Sequence, residues 1–159
     1  MPELQSPFLV DVVIPTIGRS TLLRAVESVV AQGVPARALV VLDDPSKEDQ
    51  VRQLLGARAG VEVLIPPRGG LGGAGARNYG LERSEAPVVA FLDDDDWWEP
   101  WSLETRLAGV DVGVPFFVVG SFWHEDGERA RIVPRSAPPF GNLQKMAGYV
   151  VERRELVFG

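Results

Sequence analysis

Phe91-Leu92-Asp93-Asp94-Asp95-Asp96-Trp97-Trp98-Glu99-Pro100 is the stretch on which the reading of this chain turns. A short apolar run, Val88-Val89-Ala90-Phe91-Leu92, predicts a buried strand, and four carboxylates follow directly at its C-terminal end. Four adjacent like charges repel, and a fold keeps them together only where something positive offsets the cost. Hard divalent cations such as Mg²⁺ or Mn²⁺ do this through oxygen ligands, reaching the protein by one or two carboxylates plus substrate phosphates. Ligands of open α/β sheets bind just outside the carboxyl ends of the strands. A solvated acidic loop is the plainer reading of a charge run. The position at a strand end, leading into a Trp-Trp pair, favours a metal site here.

Upstream, the same strand-then-loop unit recurs. Residues 8–14 are an apolar strand stopped by Pro15, followed by the loop Thr16-Ile17-Gly18-Arg19. Ser20 suits the N-cap of a helix carrying Leu22, Val26, Val29 and Val30 on one face. Residues 38–42 are a second strand, nearly all apolar as a buried parallel strand is, and they run into Asp43-Asp44-Pro45-Ser46. Ser46-Lys47-Glu48-Asp49 predicts a capping box for a helix reaching about Leu55. Residues 61–65 are a third strand, then come Pro66-Pro67, a glycine-rich loop over 68–75 and a helix over about 74–83. As far as Pro100 the chain reads βαβαβαβ, which requires right-handed crossovers and a mainly parallel, twisted sheet with helices on both faces. Downstream, Pro100 suits the first turn of a helix with Leu103 and Leu107. Residues 116–123 and 129–133 flank Glu125-Asp126-Gly127-Glu128, a hairpin signal, and Tyr149-Val150-Val151 is a last strand.

Composition sets the bounds. A chain of 159 residues is one domain with a real core. The formal net charge of −6 argues against a nucleic-acid partner, which needs a basic face. The absence of cysteine removes disulfides, thiolate metal sites and cysteine nucleophiles together. No apolar run approaches the roughly 18 residues of a membrane span, and the N-terminus lacks a signal-peptide pattern. No transmembrane segment and a cytoplasmic setting are the expectations.

Asp43-Asp44, the loop from Arg68 to Asn78 and Asp93 to Asp96 all follow strands at one edge of the expected sheet, where Pro15-Thr16 joins them. Such convergence is what a nucleotide site needs: polar groups for the nucleoside, charge for the phosphates, and small residues where backbone approaches a ligand. One competitor has to be weighed. Gly70-Leu71-Gly72-Gly73-Ala74-Gly75 matches the G-x-G-x-x-G of dinucleotide sites. It follows the third strand, whereas that fingerprint belongs to the first βαβ unit, and three of the aspartates would crowd a site where one acid suffices. Arg77 and Asn78, one turn into the helix, are better placed to meet a diphosphate. There is no G-K-[ST], so a P-loop is excluded.

Taken together, these pieces resemble a family 2 glycosyltransferase with the GT-A, Rossmann-like nucleotide-diphospho-sugar transferase fold. The matching segments are Val12-Val13-Ile14-Pro15-Thr16 with Arg19, residues 22–32 (LLRAVESVVAQ), Asp43-Asp44-Pro45-Ser46, Gly75-Ala76-Arg77-Asn78-Tyr79-Gly80-Leu81 and Phe91-Leu92-Asp93-Asp94-Asp95-Asp96. They cover about residues 9–100 in order, with Pro45 in place of the glycine usual in the family's D-D-G-S. The resemblance implies that Pro15, Thr16, Arg19, Asp43, Asp44, Gly75, Arg77, Asn78, Asp93 and Asp94 bind the nucleotide. Asp93 and Asp95 would form the D-x-D-type motif, with Asp96 a third metal candidate because the run permits a one-residue slip. The implied reaction is inverting transfer of a sugar from a UDP- or GDP-sugar to an unknown acceptor, with Mg²⁺ or Mn²⁺ and a carboxylate base.

By the same resemblance, residues 8–109 are the nucleotide-sugar-binding units, and 110–159 begin an acceptor-side region within a single domain. Family members continue past a segment like Arg153-Arg154-Glu155-Leu156 into a glycine-rich turn and an acidic pair that supplies the base. This chain stops at Gly159, so a donor-binding half lacking the base is expected, with Asp126 the candidate left inside it. Such a chain would bind a nucleoside diphosphate without useful turnover, and its open edge at Phe158-Gly159 would favour self-association. The rivals are a non-catalytic nucleotide-binding module and a nucleotidyltransferase; the latter carries a glycine-rich loop after its first strand, where Pro15-Thr16-Ile17-Gly18 is poor in glycine. Of Trp97 and Trp98, one belongs in the core and the other along the sugar or acceptor side of the cleft.

Overall fold

The computed structural model describes residues 6–108, together with strand backbone at 117–119, 122–126, 129–133 and 149–152. Strand and helix alternate first: β1 (Val10–Thr16), α1 (Leu22–Val30), β2 (Ala36–Leu42), α2 (Glu48–Leu55), β3 (Val61–Leu64), α3 (Gly72–Arg83), β4 (Val88–Phe91) and α4 (Ser102–Leu107). Then come β5 (Phe117–Val119), β6 (Phe122–Asp126), β7 (Arg129–Val133) and β8 (Tyr149–Glu152). Six strands form one sheet in the order β3-β2-β1-β4-β8-β5. β1 pairs parallel with both β2 and β4, and β2 with β3. β8 lies antiparallel on β4, and β5 antiparallel on β8.

Alternation along the strands explains the layers. Val10, Val12 and Ile14 face the same side as Val40, Leu42 and Ala90, and that side is covered by Leu22, Val26 and Val29 of α1, Val51 and Leu55 of α2, and Leu103 of α4. Val13, Leu39, Val41, Val89 and Phe91 face the other side, where α3 packs through Ala76 and Leu81. Gly80 sets how close α3 comes, because a Cβ there would sit 2.5 Å from the Val13 side chain. The chain moves from β1 outward to β2 and β3, then returns to place β4 on the other side of β1. That reversal is a topological switch point, and it opens a crevice at the carboxyl ends of β1 and β4.

Four local expectations are revised. Pro15 does not stop β1, which runs through it to Thr16. By alternation Pro15 shares Val13's side towards β4, whose ladder ends with Phe91 opposite Val13, so no partner there requires the missing N–H. The N-cap of α1 is Thr21, not Ser20, and makes no side-chain capping bond. The capping box at Ser46 gives way to a short 3-10 turn over Pro45–Lys47, because the Asp44 carboxylate takes the Ser46 N–H and hydroxyl first. The single strand expected over 116–123 divides into β5 and β6 in two different sheets, and the hairpin is β6–β7, from Phe122 opposite Val133 to Asp126 opposite Arg129. Apolar periodicity carries no information about which sheet a strand joins.

Candidate functional site

The crevice at the switch point is a cleft of about 270 Å³. The end of β1 supplies Pro15, Thr16, Ile17 and Arg19, and the end of β2 supplies Asp43. The first turns of α3 supply Gly72, Gly73, Ala76 and Arg77, and the residues after β4 supply Asp93, Asp94 and Asp95. Ile17 was not singled out by the sequence, whereas Gly72, Gly73 and Ala76 fall within the segment over 68–78 that was expected at the site. Of the residues in that segment, the family resemblance points individually to Gly75, Arg77 and Asn78, of which Arg77 lines the cleft.

The four aspartates do not act as one group. The Asp96 N–H donates to the Asp93 carbonyl at 3.1 Å, so the run is folded into a tight turn. Asp94 is turned into the protein, where its Oδ2 accepts the Thr16 hydroxyl at 2.6 Å. Asp93, Asp95 and Asp96 converge instead, each offering a carboxylate oxygen within 4.8 Å of the others. Among the described residues two arginines face this turn. Arg77, buried in α3, donates from Nη2 to Asp93 Oδ1 at 2.5 Å. Arg19, half-exposed, lies 3.3 Å from Asp95 Oδ2 and 3.7 Å from Asp94 Oδ1. Burial raises the pKa of Asp93 above the ordinary aspartate value; Arg77 opposes this and the charges of Asp95 and Asp94 add to it. Among the described residues, the four carboxylates of the turn outnumber the two arginines that face it. Three oxygen donors in that condition suit Mg²⁺ or Mn²⁺, whose charge inverts the local pKa logic.

Asp43 shapes the opposite wall. Its Oδ1 accepts the Leu71 N–H at 2.8 Å and its Oδ2 the Gly72 N–H at 2.9 Å, while its carbonyl accepts the Gly70 N–H at 3.0 Å. The N-terminus of α3 has no side-chain cap from its own sequence, and Asp43 provides one from the neighbouring strand end. Gly69 is required by this contact, since a Cβ there would lie 2.5 Å from the Asp43 carbonyl oxygen. The same contact argues against the dinucleotide reading, because two amides that would face a pyrophosphate are already bonded to a carboxylate. Gly73 leaves room for Arg77, whose Nη1 would be 3.0 Å from a Cβ there.

The remaining expected residues stand elsewhere. Asp44 lies outside the cleft lining, its Oδ1 accepting the Ser46 hydroxyl at 2.6 Å, and that bond lowers its pKa. Gly75 also lies outside the lining, where a Cβ would come 2.9 Å from Leu71 Cβ. Asn78 is one residue beyond Arg77 on α3 and therefore about 100° around the helix from the cleft. Trp98 is buried in the core, as one indole was expected to be. Trp97 is partly exposed under the Arg24 guanidinium, 3.2 Å from the ring centroid, and does not line the cleft. Asp126 ends β6; its side chain, Phe158 and Gly159 lie outside the described residues.

The family described as Glycosyl transferase family 2 matches residues 11–157, which include every strand end that builds the cleft. The chain belongs to this family. Its curated relatives include UDP-Glc:alpha-D-GlcNAc-diphosphoundecaprenol beta-1,3-glucosyltransferase WfaP of Escherichia coli, 25% identical over 107 residues, covering 67% of this chain and 43% of that protein. Another is the succinoglycan biosynthesis protein ExoW of Rhizobium meliloti, 40% identical over 85 residues, covering 50% of this chain and 26% of that protein. The chain thus spans less than half the length of either relative. Among solved structures, S. aureus TarS 1-349 superposes with a TM-score of 0.67 at 20% identity, covering 91% of this chain and 47% of that one. Its complex with UDP-GlcNAc gives 0.54 at 22% identity, covering 62% of this chain and 30% of that one. The fold of this family 2 chain is the GT-A fold. Among the described residues no helix is long and apolar enough to cross a membrane.

Proposed function

We propose that this family 2 chain forms the donor-binding half of a glycosyltransferase that, with Mg²⁺ or Mn²⁺, transfers a sugar from a nucleoside-diphosphate sugar to an acceptor with inversion. The observation that carries the reading is the convergence of Asp93, Asp95 and Asp96 at the switch-point crevice, beside Arg77 and Arg19. Those three aspartates would hold the cation, which when bound neutralises charge gathering on the departing diphosphate. Pro15, Thr16, Ile17 and Asp43 wall the side of the cleft assigned to the nucleoside. Arg77 and Arg19 present guanidinium donors where phosphate oxygens would lie. The uracil nucleotides of the TarS complexes, and the UDP-glucose in WfaP's name, favour UDP over GDP as the carrier.

In the proposed single displacement, the acceptor oxygen bonds to the anomeric carbon as the carbon–oxygen bond to the diphosphate breaks. A carboxylate takes the acceptor's proton. The aspartates of the cleft are assigned to nucleotide and cation, so the base is not one of them, and Asp126 is the candidate left within this donor-binding half.

Calorimetric titration of UDP, GDP and TDP, each with Mn²⁺ and with EDTA, tests the reading. UDP binding that strengthens with Mn²⁺ is expected, without useful transfer from UDP-sugars to an acceptor by this chain alone. Nucleotide affinities indifferent to Mn²⁺ would remove the metal-dependent reading, and multiple-turnover transfer to any acceptor would show that the base lies inside these residues, with Asp126 the first position to mutate.

A further inference from the structure

We infer that Asp94 is a positioning residue: its hydrogen bond from Thr16 holds the acidic turn in the shape that presents Asp93, Asp95 and Asp96 to a cation. The inference rests on the metal-dependent reading above. Its observations are separate from the ligand set. Thr16 and Asp94 are both buried, lie 78 residues apart in sequence, and meet at 2.6 Å across the two strands that flank the switch point. The Thr16 hydroxyl is also fixed from behind, because its oxygen accepts the Gly18 N–H at 3.0 Å. Its proton is therefore committed to Asp94. Gly18 closes that small turn at a φ of +83°, a conformation that favours glycine.

The turn explains why one pinned residue matters. With Asp96 N–H bonded to the Asp93 carbonyl, Asp94 is the first of two central residues in a turn of four identical side chains. Nothing in the side chains themselves decides which carboxylates point outward. Drawing Asp94 under the turn leaves the other three convergent, and it joins the loop after β1 to the loop after β4. The nucleoside wall and the cation wall of the cleft then move as one piece.

The test is Mn²⁺ affinity without nucleotide, read from the electron paramagnetic resonance of free Mn²⁺, alongside thermal melting of the same proteins. Thr16→Val removes the donor and leaves every carboxylate in place; it should weaken Mn²⁺ about tenfold, equivalent to about 1.4 kcal/mol. Thr16→Ser, which keeps the hydroxyl, should restore it. Thr16→Val and Asp94→Ala should combine to less than the sum of their separate effects, as coupled neighbours do. A Thr16→Val protein that melts lower yet binds Mn²⁺ as the wild type does would overturn the inference, leaving the bond a purely structural one. Tighter Mn²⁺ binding in Thr16→Val would overturn it too, because the freed Asp94 would then be a ligand. If the wild type binds no Mn²⁺ at all, the metal reading fails first and takes this inference with it.

Discussion

Asp11 and Asp93 stand at opposite edges of the same sheet, each against an arginine, and they are built to different ends. At the amino edge Asp11 is fully buried and holds Arg37 through two bonds of 2.9 Å. Its Oδ2 also accepts the Glu85 and Ala86 N–H groups at 2.7 and 3.0 Å. The Asp11 bond raises the pKa of Arg37, with Glu62 and Glu85 adding their charge. Here the positive charge is fully used. At the carboxyl edge Asp93 has one arginine bond, two aspartate neighbours and a raised pKa. A carboxylate whose bonds are complete stabilises a fold, whereas a cluster that outnumbers the described arginines facing it is where the proposed cation would bind.

The largest effect should come from breaking the satisfied pair. Arg37→Leu leaves Asp11 buried and ionised without its partner, and a loss of about 3–5 kcal/mol in denaturant-measured stability is expected. Arg77→Leu beside the half-buried Asp93 should cost clearly less, and equal losses would break the contrast between the two edges. Next in size is the neutral replacement. Asp11→Asn should cost about 2 kcal/mol, because the bidentate charged bond is lost. Asp93→Asn should leave stability unchanged or higher, since repulsion within the turn is relieved.

A pH series sharpens the comparison further. The folded pKa of Asp93 is raised, so its contribution to stability is present below the unfolded aspartate pKa and is lost as pH rises through the folded value. Melting temperature should therefore fall across that window in the metal-free wild type, with the fall reduced in Asp93→Asn. Mn²⁺ competes with the proton, so its stabilising effect should grow as pH rises through the same window. The smallest effect is expected at Asp44, whose carboxylate serves only a local turn with Ser46. Asp44→Ala should lower the melting temperature slightly and leave UDP affinity as it was; a large loss of UDP affinity would return Asp44 to the nucleotide site.

What the sequence made legible follows the same division. The βα units were readable because buried parallel strands are short, mainly apolar runs, each followed within two residues by Gly, Pro or Asp. The resemblance to family 2 and to the GT-A fold is borne out by the family match and the TarS superposition. The placement of β8 beside β4 was not readable, because an antiparallel partner drawn from some 60 residues away leaves no local trace. The roles inside the aspartate run were equally hidden. Four identical residues have no periodicity, and only a hydroxyl on another strand distinguishes Asp94 from its neighbours. Asp43 shows the reverse case: its type and position were picked out, but its bonds to Leu71 and Gly72 depend on how close β2 and the glycine loop come in space.

The central claim is that the turn after β4 joins a divalent cation to a nucleoside diphosphate. The most direct measurement is calorimetric titration of UDP into the wild type and Asp95→Asn, each with Mn²⁺ and with EDTA. Asp95 is exposed, so its replacement would delete the proposed ligand without opening a cavity. The account predicts that Mn²⁺ strengthens UDP binding to the wild type by about tenfold or more, and that this gain disappears in Asp95→Asn while its melting temperature holds or rises. An equal Mn²⁺ gain in both proteins, or none in either, would contradict it.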